Sequence, residues 1–103
     1  MNKSIESYIF IKIKSIIFKN IKNLPYKFFL FGSRVKGDAK KRSDYDIGFI
    51  SENGKKINSL ILSDIQDGFD NIPAIIDLID FSEVSEDFKK NAMKNIIWLN
   101  KTI

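Results

Sequence analysis

The sequence predicts an α/β domain (α+β) in which helices flank a small β-sheet, with the element order α-β-β-α-β-α. Three short apolar segments indicate buried strands, and longer segments repeat apolar residues at helical spacing. Alternating helical and strand patterns of this kind are typical of a sheet covered by helices. At 103 residues the chain is long enough for one hydrophobic core, so we expect a single domain over residues 1–103.

The first predicted element is an amphipathic helix over residues 4–22. Its apolar stripe consists of residues at helical spacing: Ile5, Tyr8, Ile9, Ile13, Ile16, Ile17 and Ile21. Phe10, Ile11 and Phe18 fall off this stripe. They either pack under neighbouring elements or form a surface that binds a partner.

Two strands and a second helix follow. The "LPY" at Leu24–Tyr26 ends the first helix, and the aromatic segment "YKFFLF", Tyr26–Phe31, predicts a buried strand. A second strand is predicted at Asp44–Ile50, followed by the turn "SENGK". Apolar residues at helical spacing then predict a helix over residues 56–69, which ends near Gly68.

The last third of the chain predicts a strand and a helix. "AIIDLID", Ala74–Asp80, reads as a third strand, and Ser85 is positioned to cap a helix that continues to about Asn95, with Phe88 and Met93 facing inward. The closing "IIWLN" is either an extension of that helix or a short edge strand.

Composition excludes several kinds of chemistry. The chain has no cysteine and no histidine, so disulfides, thiolate zinc sites, a Ser-His-Asp triad and a histidine base are ruled out. Any metal must be held by oxygen atoms, which favours a hard ion such as Mg²⁺. The net charge of +4 is explained by a lysine-rich solubilising surface, so we do not expect general nucleic-acid binding.

The start of the chain and its hydropathy bear on localisation. The first ten residues lack the apolar core and cleavage site of a signal peptide, and no apolar run reaches transmembrane length. We therefore expect a cytoplasmic protein that does not contact the membrane.

The unusual residues of the chain are concentrated in "FGSRVKGDAKKRSDYDIGFI", Phe31–Ile50. Gly32 and Ser33 follow a strand, where backbone N–H groups and a hydroxyl can bind phosphate. Asp44 and Asp46 alternate along the next strand, so their carboxylates share one face about 7 Å apart. Such a pair is either two exposed acids at a strand start or the ligands of a divalent cation, which explains the pair better.

A third acid is expected on a neighbouring strand, and "AIIDLID" supplies it. Asp77 lies between Ile76 and Leu78, where an unpaired carboxylate is costly to bury. Asp80, at the end of the same strand, instead reads as an acid bonded to a loop.

These residues together resemble the DNA polymerase β-like nucleotidyltransferase superfamily. The shared pattern is Gly32-Ser33, ten residues, Asp44-Tyr45-Asp46, and a later apolar strand with Asp77 at its centre. More closely, the chain resembles the minimal nucleotidyltransferases (MNT proteins), small antitoxins found beside HEPN-domain partners. The resemblance covers roughly residues 26–98 and implies a nucleotidyltransferase-like small mixed sheet.

The resemblance also implies a mechanism. Asp44, Asp46 and Asp77 would be catalytic and hold one or two Mg²⁺ ions, with Asp77 acting as a ligand or general base. ATP would be the nucleotide donor, with AMP passing to a tyrosine of a HEPN toxin. The residues expected to bind its phosphates are Gly32, Ser33, Arg34, Lys36 and Arg42. For Lys40 and Lys41, a solvated loop and a phosphate role remain equally open.

Two other functions remain open. The acceptor is either a protein, as above, or a small-molecule alcohol or nucleic-acid end. Alternatively, the domain is a non-catalytic antitoxin that masks its partner by contact through Phe10, Ile11, Phe18 and the basic loop. A homo- or hetero-oligomer is compatible with all three. The loop is not a Walker A motif, because no Gly-Lys-Ser/Thr ends it.

Overall fold

The structure, a computed structural model, describes residues 3–37 and 44–100. In these ranges eight elements follow one another along the chain: α1 (Lys3–Ile21), β1 (Tyr26–Phe31), α2 (Ser33–Lys36), β2 (Tyr45–Ser51), α3 (Ser59–Asp70), β3 (Ile76–Asp80), α4 (Glu86–Ala92) and β4 (Ile97–Trp98). The strands form one sheet in the order β3-β2-β1-β4. β1 pairs antiparallel with β2 and β4, whereas β2 and β3 run parallel. The sheet is therefore mixed, which confirms the predicted fold class.

The predicted element order was incomplete by two short elements. The one-turn helix α2 follows β1 directly, and β4 pairs with the free edge of β1. A helix of one turn has no periodic pattern to detect, and a two-residue strand has no alternation. Of the two alternatives for the closing segment, the structure therefore contains the short edge strand.

The strand starts differ from the prediction because cross-strand pairing defines them. The parallel register begins at Tyr45 opposite Ile76, so β2 begins one residue after Asp44 and β3 begins two residues after Ala74. Immediately before the ladder, the Tyr45 N–H donates to the carbonyl oxygen of Ile75 at 2.9 Å.

Side-chain caps set the starts of two helices. The Asn58 side chain accepts a hydrogen bond from the Leu60 N–H at 2.7 Å, so α3 begins at Ser59 rather than at residue 56. The Ser85 hydroxyl accepts from the Phe88 N–H at 3.1 Å, which confirms the predicted cap of α4. That helix ends at Ala92, three residues before the predicted end at Asn95.

One face of the sheet is covered by α1 and α3. Ile9, Ile13, Ile17 and Ile21 lie four residues apart along α1 and are all buried. They belong to a hydrophobic cluster that also includes residues of β1, β2 and α3: Phe28, Leu30, Tyr45, Ile47, Phe49, Ile65 and Phe69. A stripe at helical spacing therefore packs on alternate residues of β1 and β2, as the sequence pattern predicts. The prediction that Tyr8 also belongs to this stripe is wrong, because its side chain is 50% exposed.

The three off-stripe residues of α1 do not share one environment. Phe10 packs against the buried cluster. Ile11 and Phe18 remain 64% and 61% exposed, so packing under neighbouring elements is wrong for these two. They lie on the side of the helix that faces away from the sheet.

The other face of the sheet is covered in part by α4 and the turn before it. Phe29, Phe31 and Phe81 form a second buried cluster there, with Trp98 and Met93 packed against it. Gly48 of β2 lies beneath this cluster, and the Phe29 and Phe81 rings occupy the space that a side chain at Gly48 would need. In the described part of the chain, no helix has both the length and the apolar character needed to cross a membrane.

The packing over Gly48 yields a stability prediction. A Cβ atom at this position would lie 2.6 Å from Phe29 Cζ and 2.5 Å from Phe81 Cε1, too close for either ring to stay in place. We expect Gly48→Ala to lower the free energy of unfolding by about 1–3 kcal/mol, and to lower Tm by roughly 4 °C or more in thermal unfolding. In the Phe81→Leu background the same change should cost less, because one of the two rings that the Cβ atom meets is gone. Equal costs in both backgrounds would contradict the clash with Phe81.

Candidate active site

The candidate site lies at the end of the sheet where β1 ends and where β2 and β3 begin. In the register of the sheet, Phe31 lies opposite Asp46, and Asp46 lies beside Asp77. Because Tyr45 and Ile47 are buried on the α1 face, Asp46 projects from the opposite face. Neighbours in adjacent strands point the same way, so Asp77 shares that face with Asp46.

Asp44 completes the group from just outside the sheet. It precedes β2 by one residue, and its carboxyl group shares a hydrogen bond with that of Asp77. Asp44, Asp46 and Asp77, predicted from sequence to act together, are therefore neighbours in the structure. The expectation that Asp77 is buried is wrong, because β3 is an edge strand and this side chain is exposed.

Crowding of the carboxyl groups changes how two of them hold protons. Burial raises the pKa of Asp46, and the negative charges of Asp77 and Asp44 raise it further. The pKa of Asp77 is also raised, first by desolvation, then by the hydrogen bond with Asp44 and by the charge of that residue. A cation placed among these groups would remove the repulsion, which is the electrostatic condition for a metal site.

The turn after β1 touches this acidic group directly. Gly32 has φ +81°, a left-handed conformation that side chains disfavour, and a Cβ atom there would collide with Oδ2 of Asp46. Glycine is thus required at position 32 for two reasons, the positive φ angle of the backbone and the close approach of the Asp46 carboxylate. The carbonyl oxygen of Gly32 accepts hydrogen bonds from Val35 and Lys36, both at 3.1 Å, which forms the single turn of α2. Ser33 is the first residue of that turn.

The basic residues proposed for phosphate binding have different environments. The Arg34 guanidinium lies over the Tyr45 ring, 4.2 Å from its centroid, and so joins α2 to the start of β2. Lys36 is exposed at the end of α2. Arg42, Lys40 and Lys41 lie outside the described residues.

The carboxylates form an open edge rather than a closed metal cage. Among the described residues, no set of three Asp, Glu, His or Cys side chains is arranged to enclose an ion. The donors fit Mg²⁺ by chemistry, because carboxylates and phosphate oxygens are its preferred ligands. A surface cavity of about 150 Å³ lies elsewhere, near Tyr26, Lys55 and Lys56, and includes none of the three carboxylates.

Sequence reasoning placed Phe88 in the interior, whereas the structure shows it at the rim of the site. Its ring packs against Phe31, the neighbour of Asp46 across the sheet, and remains 43% exposed. The amphipathic pattern of α4 reveals that Phe88 faces the sheet. It carries no information about which end of the sheet the helix reaches, so no sequence signal could have placed Phe88 near the carboxylates.

The chain is similar to known nucleotidyltransferases and to toxin–antitoxin proteins. A family model described as "Polymerase beta, Nucleotidyltransferase" matches residues 12–102. A Haemophilus influenzae protein named "Probable protein adenylyltransferase MntA" is 40% identical over 67 residues. That match covers 63% of this chain and 57% of the relative, so this chain spans less than two thirds of the relative's length.

Solved structures share the fold. The crystal structure of a toxin–antitoxin with AMP-PNP matches with a TM-score of 0.68 and 22% identity, over 90% of this chain and 73% of that chain. A mutant MntA-HpeT toxin–antitoxin matches with a TM-score of 0.67 and 20% identity, over the same two shares. Since the family model covers most of its length, this chain belongs to the polymerase β nucleotidyltransferase family.

Proposed function

We propose that this chain transfers AMP from ATP to a hydroxyl group of a partner protein, a tyrosine of a HEPN toxin, and thereby acts as an antitoxin. The observation that carries the proposal is the contact between the Gly32 turn and Asp46, with Asp44 and Asp77 beside them. A phosphate-binding turn and a group of carboxylates at one sheet end are the two parts that nucleotidyl transfer needs. The names of the relatives support the choice of AMP and of a toxin partner.

Each residue has a role that follows from its position. Asp44 and Asp46, with Asp77, would hold Mg²⁺, which would neutralise the triphosphate and polarise the α-phosphate when bound. Gly32 leaves room for the phosphates to approach the backbone, and Ser33 adds a hydroxyl donor. Lys36, exposed at the end of α2, supplies positive charge near the β- and γ-phosphates. Arg34 holds the turn against β2 through its contact with Tyr45.

Asp77 is the residue best placed to act on the acceptor. It lies on an edge strand and is exposed, so a hydroxyl group of another molecule can reach it. Its carboxylate can accept the proton of such a hydroxyl group. The acceptor oxygen gives its proton to Asp77 and forms a bond to the α-phosphorus. The bond between that phosphorus and the bridging oxygen breaks, and pyrophosphate leaves with the electron pair.

Exposed apolar residues on α1 favour a second candidate function, in which the domain masks its partner by contact. Ile11 and Phe18 are exposed on the outer side of α1, which we call the α1 outer face, with Tyr8 half exposed beside them. Lys12 and Lys19 lie on the same helix, Lys22 directly follows it, and residues 7–22 contain no acid. An apolar strip edged by lysines fits a protein surface that is apolar at its centre and acidic at its rim. We propose that the toxin carries this complementary surface.

Label transfer tests the catalytic proposal. The purified protein is incubated with the toxin partner, Mg²⁺ and ATP labelled at the α-phosphate, beside Asp46→Asn and Asp80→Asn variants. We expect the Asp46 variant to lose label transfer by roughly 100-fold or more, because a ligand of the catalytic ion is removed. Asp80 accepts hydrogen bonds from Ser82 and lies away from the site, so its variant should match wild type. Equal transfer by all three proteins would refute the assignment of Asp46.

Thermal unfolding tests the metal site without an activity assay. Since the folded pKa of Asp46 is raised, ionisation of this group opposes folding at neutral pH, and the penalty disappears as the pH falls below its ordinary value of 3.8. Without divalent cations, Asp46→Asn should therefore raise Tm, by at most about 4 °C after solvent screening. With millimolar Mg²⁺, wild type should gain Tm and the variant should gain less.

The control is Asp64→Asn, an exposed substitution on α3, which should respond to Mg²⁺ as wild type does. An unchanged Mg²⁺ response in Asp46→Asn would show that the ion binds elsewhere.

Partner binding separates contact from catalysis. Ile11→Glu with Phe18→Glu should weaken binding of the toxin by roughly 10-fold or more, with the Mg²⁺ shift of Tm intact. Leu60→Glu, on α3, is a matched control because Leu60 is more exposed than either residue. If Asp46→Asn still protects cells from the toxin as well as wild type, masking by contact is sufficient. If the α1 variants bind the toxin normally, the α1 outer face is not the interface.

A further inference from the structure

Four phenylalanines form a continuous wall beside the carboxylates. Ring centroids are 5.2 Å apart for Phe31 and Phe81, 5.7 Å for Phe81 and Phe88, and 6.2 Å for Phe31 and Phe88, and Phe29 lies behind them, 4.8 Å from Phe81. We call this set the aromatic wall. Three of the rings are buried, whereas Phe88 is 43% exposed. Phe88 therefore packs on the wall with one side of its ring and faces solvent with the other.

The aromatic wall and the carboxylates share one face of the sheet. Phe31 lies opposite Asp46 in the β1–β2 register, and Gly48 is the next residue of β2 on the same face. Because Gly48 has no side chain, the Phe29 and Phe81 rings lie over it. The wall thus begins directly beyond Asp46. The exposed Phe88 ring packs on Phe31, the side chain that lies next to Asp46 across the two strands.

The position of Phe88 beyond Phe31 suits the far end of a nucleotide. An α-phosphate held at Asp44 and Asp46 leaves the ribose and the base to extend several ångströms away. Among the described residues, Phe88 is an exposed aromatic side chain that packs next to Phe31 on this side of the sheet. A nucleobase is a flat apolar surface, and aromatic side chains bind it by stacking.

We infer that Phe88 stacks on the nucleobase of the donor nucleotide, an inference that rests on the proposed function. The buried rings of Phe31 and Phe81 hold the Phe88 ring in place, so stacking requires little ordering of the side chain. Stacking accepts any base, because every base has a π-face. The Phe88 ring therefore strengthens nucleotide binding but discriminates only weakly between ATP and GTP.

The test compares ligands with and without a base. Calorimetry in Mg²⁺ measures the affinity of wild type, Phe88→Leu and Phe88→Tyr for ATP, GTP and inorganic tripolyphosphate. Leucine keeps apolar contact with Phe31 and Phe81 but cannot stack, whereas tyrosine keeps the ring. Leu60→Ala, at an exposed apolar residue on α3, is the control and should behave as wild type.

We expect Phe88→Leu to weaken ATP and GTP binding by roughly 5- to 100-fold, with tripolyphosphate affinity unchanged and Phe88→Tyr close to wild type. Unchanged ATP affinity in Phe88→Leu, or equal losses for ATP and tripolyphosphate, would overturn the inference while leaving the proposed function intact. Loss of toxin binding without loss of ATP affinity would also overturn it and assign Phe88 to the partner. Failure of wild type to bind ATP or tripolyphosphate would overturn the inference together with the proposed function.

Discussion

The pairing of β1 with β2 is the constraint on which the rest of this structure depends. Its register places Phe31 opposite Asp46, which brings the Gly32 turn against the carboxylate. Side chains alternate along a strand, so a slip of one residue would turn Asp46 into the apolar core and Ile47 out to solvent. The hydrophobic core thus holds the Gly32 turn and the acid in contact, although neither contributes to that core.

One face of the sheet carries most of the hydrophobic core, and the other carries the carboxylates of the candidate site. The face under α1 and α3 buries the larger apolar cluster. The other face is covered only in part, which leaves Asp46 and Asp77 open to solvent and to one another. Desolvation of these acids and repulsion among them oppose folding, as the raised pKa values of Asp46 and Asp77 indicate. The protein therefore keeps a locally unfavourable arrangement at the edge that a metal-bound nucleotide would neutralise.

This division also separates contact from catalysis. The α1 outer face looks away from the sheet on the side opposite the carboxylates. A partner held at the proposed α1 surface would therefore lie on the far side of the domain from Asp77. Variants of the α1 outer face and of Asp46 consequently test the two proposed functions separately.

The sequence by itself determined the fold class and most of the site. Periodicity was sufficient for α1 and α3, since an apolar stripe must be buried, and the family resemblance carried by Gly32, Asp44, Asp46 and Asp77 grouped those residues. Only the tertiary structure decided where the strands begin, because a strand starts where a partner pairs with it. It also decided that Asp77 is exposed and that Phe88 lies at the rim, because burial depends on which strand is at the edge. Contacts between residues far apart in the chain cannot be predicted from local sequence patterns.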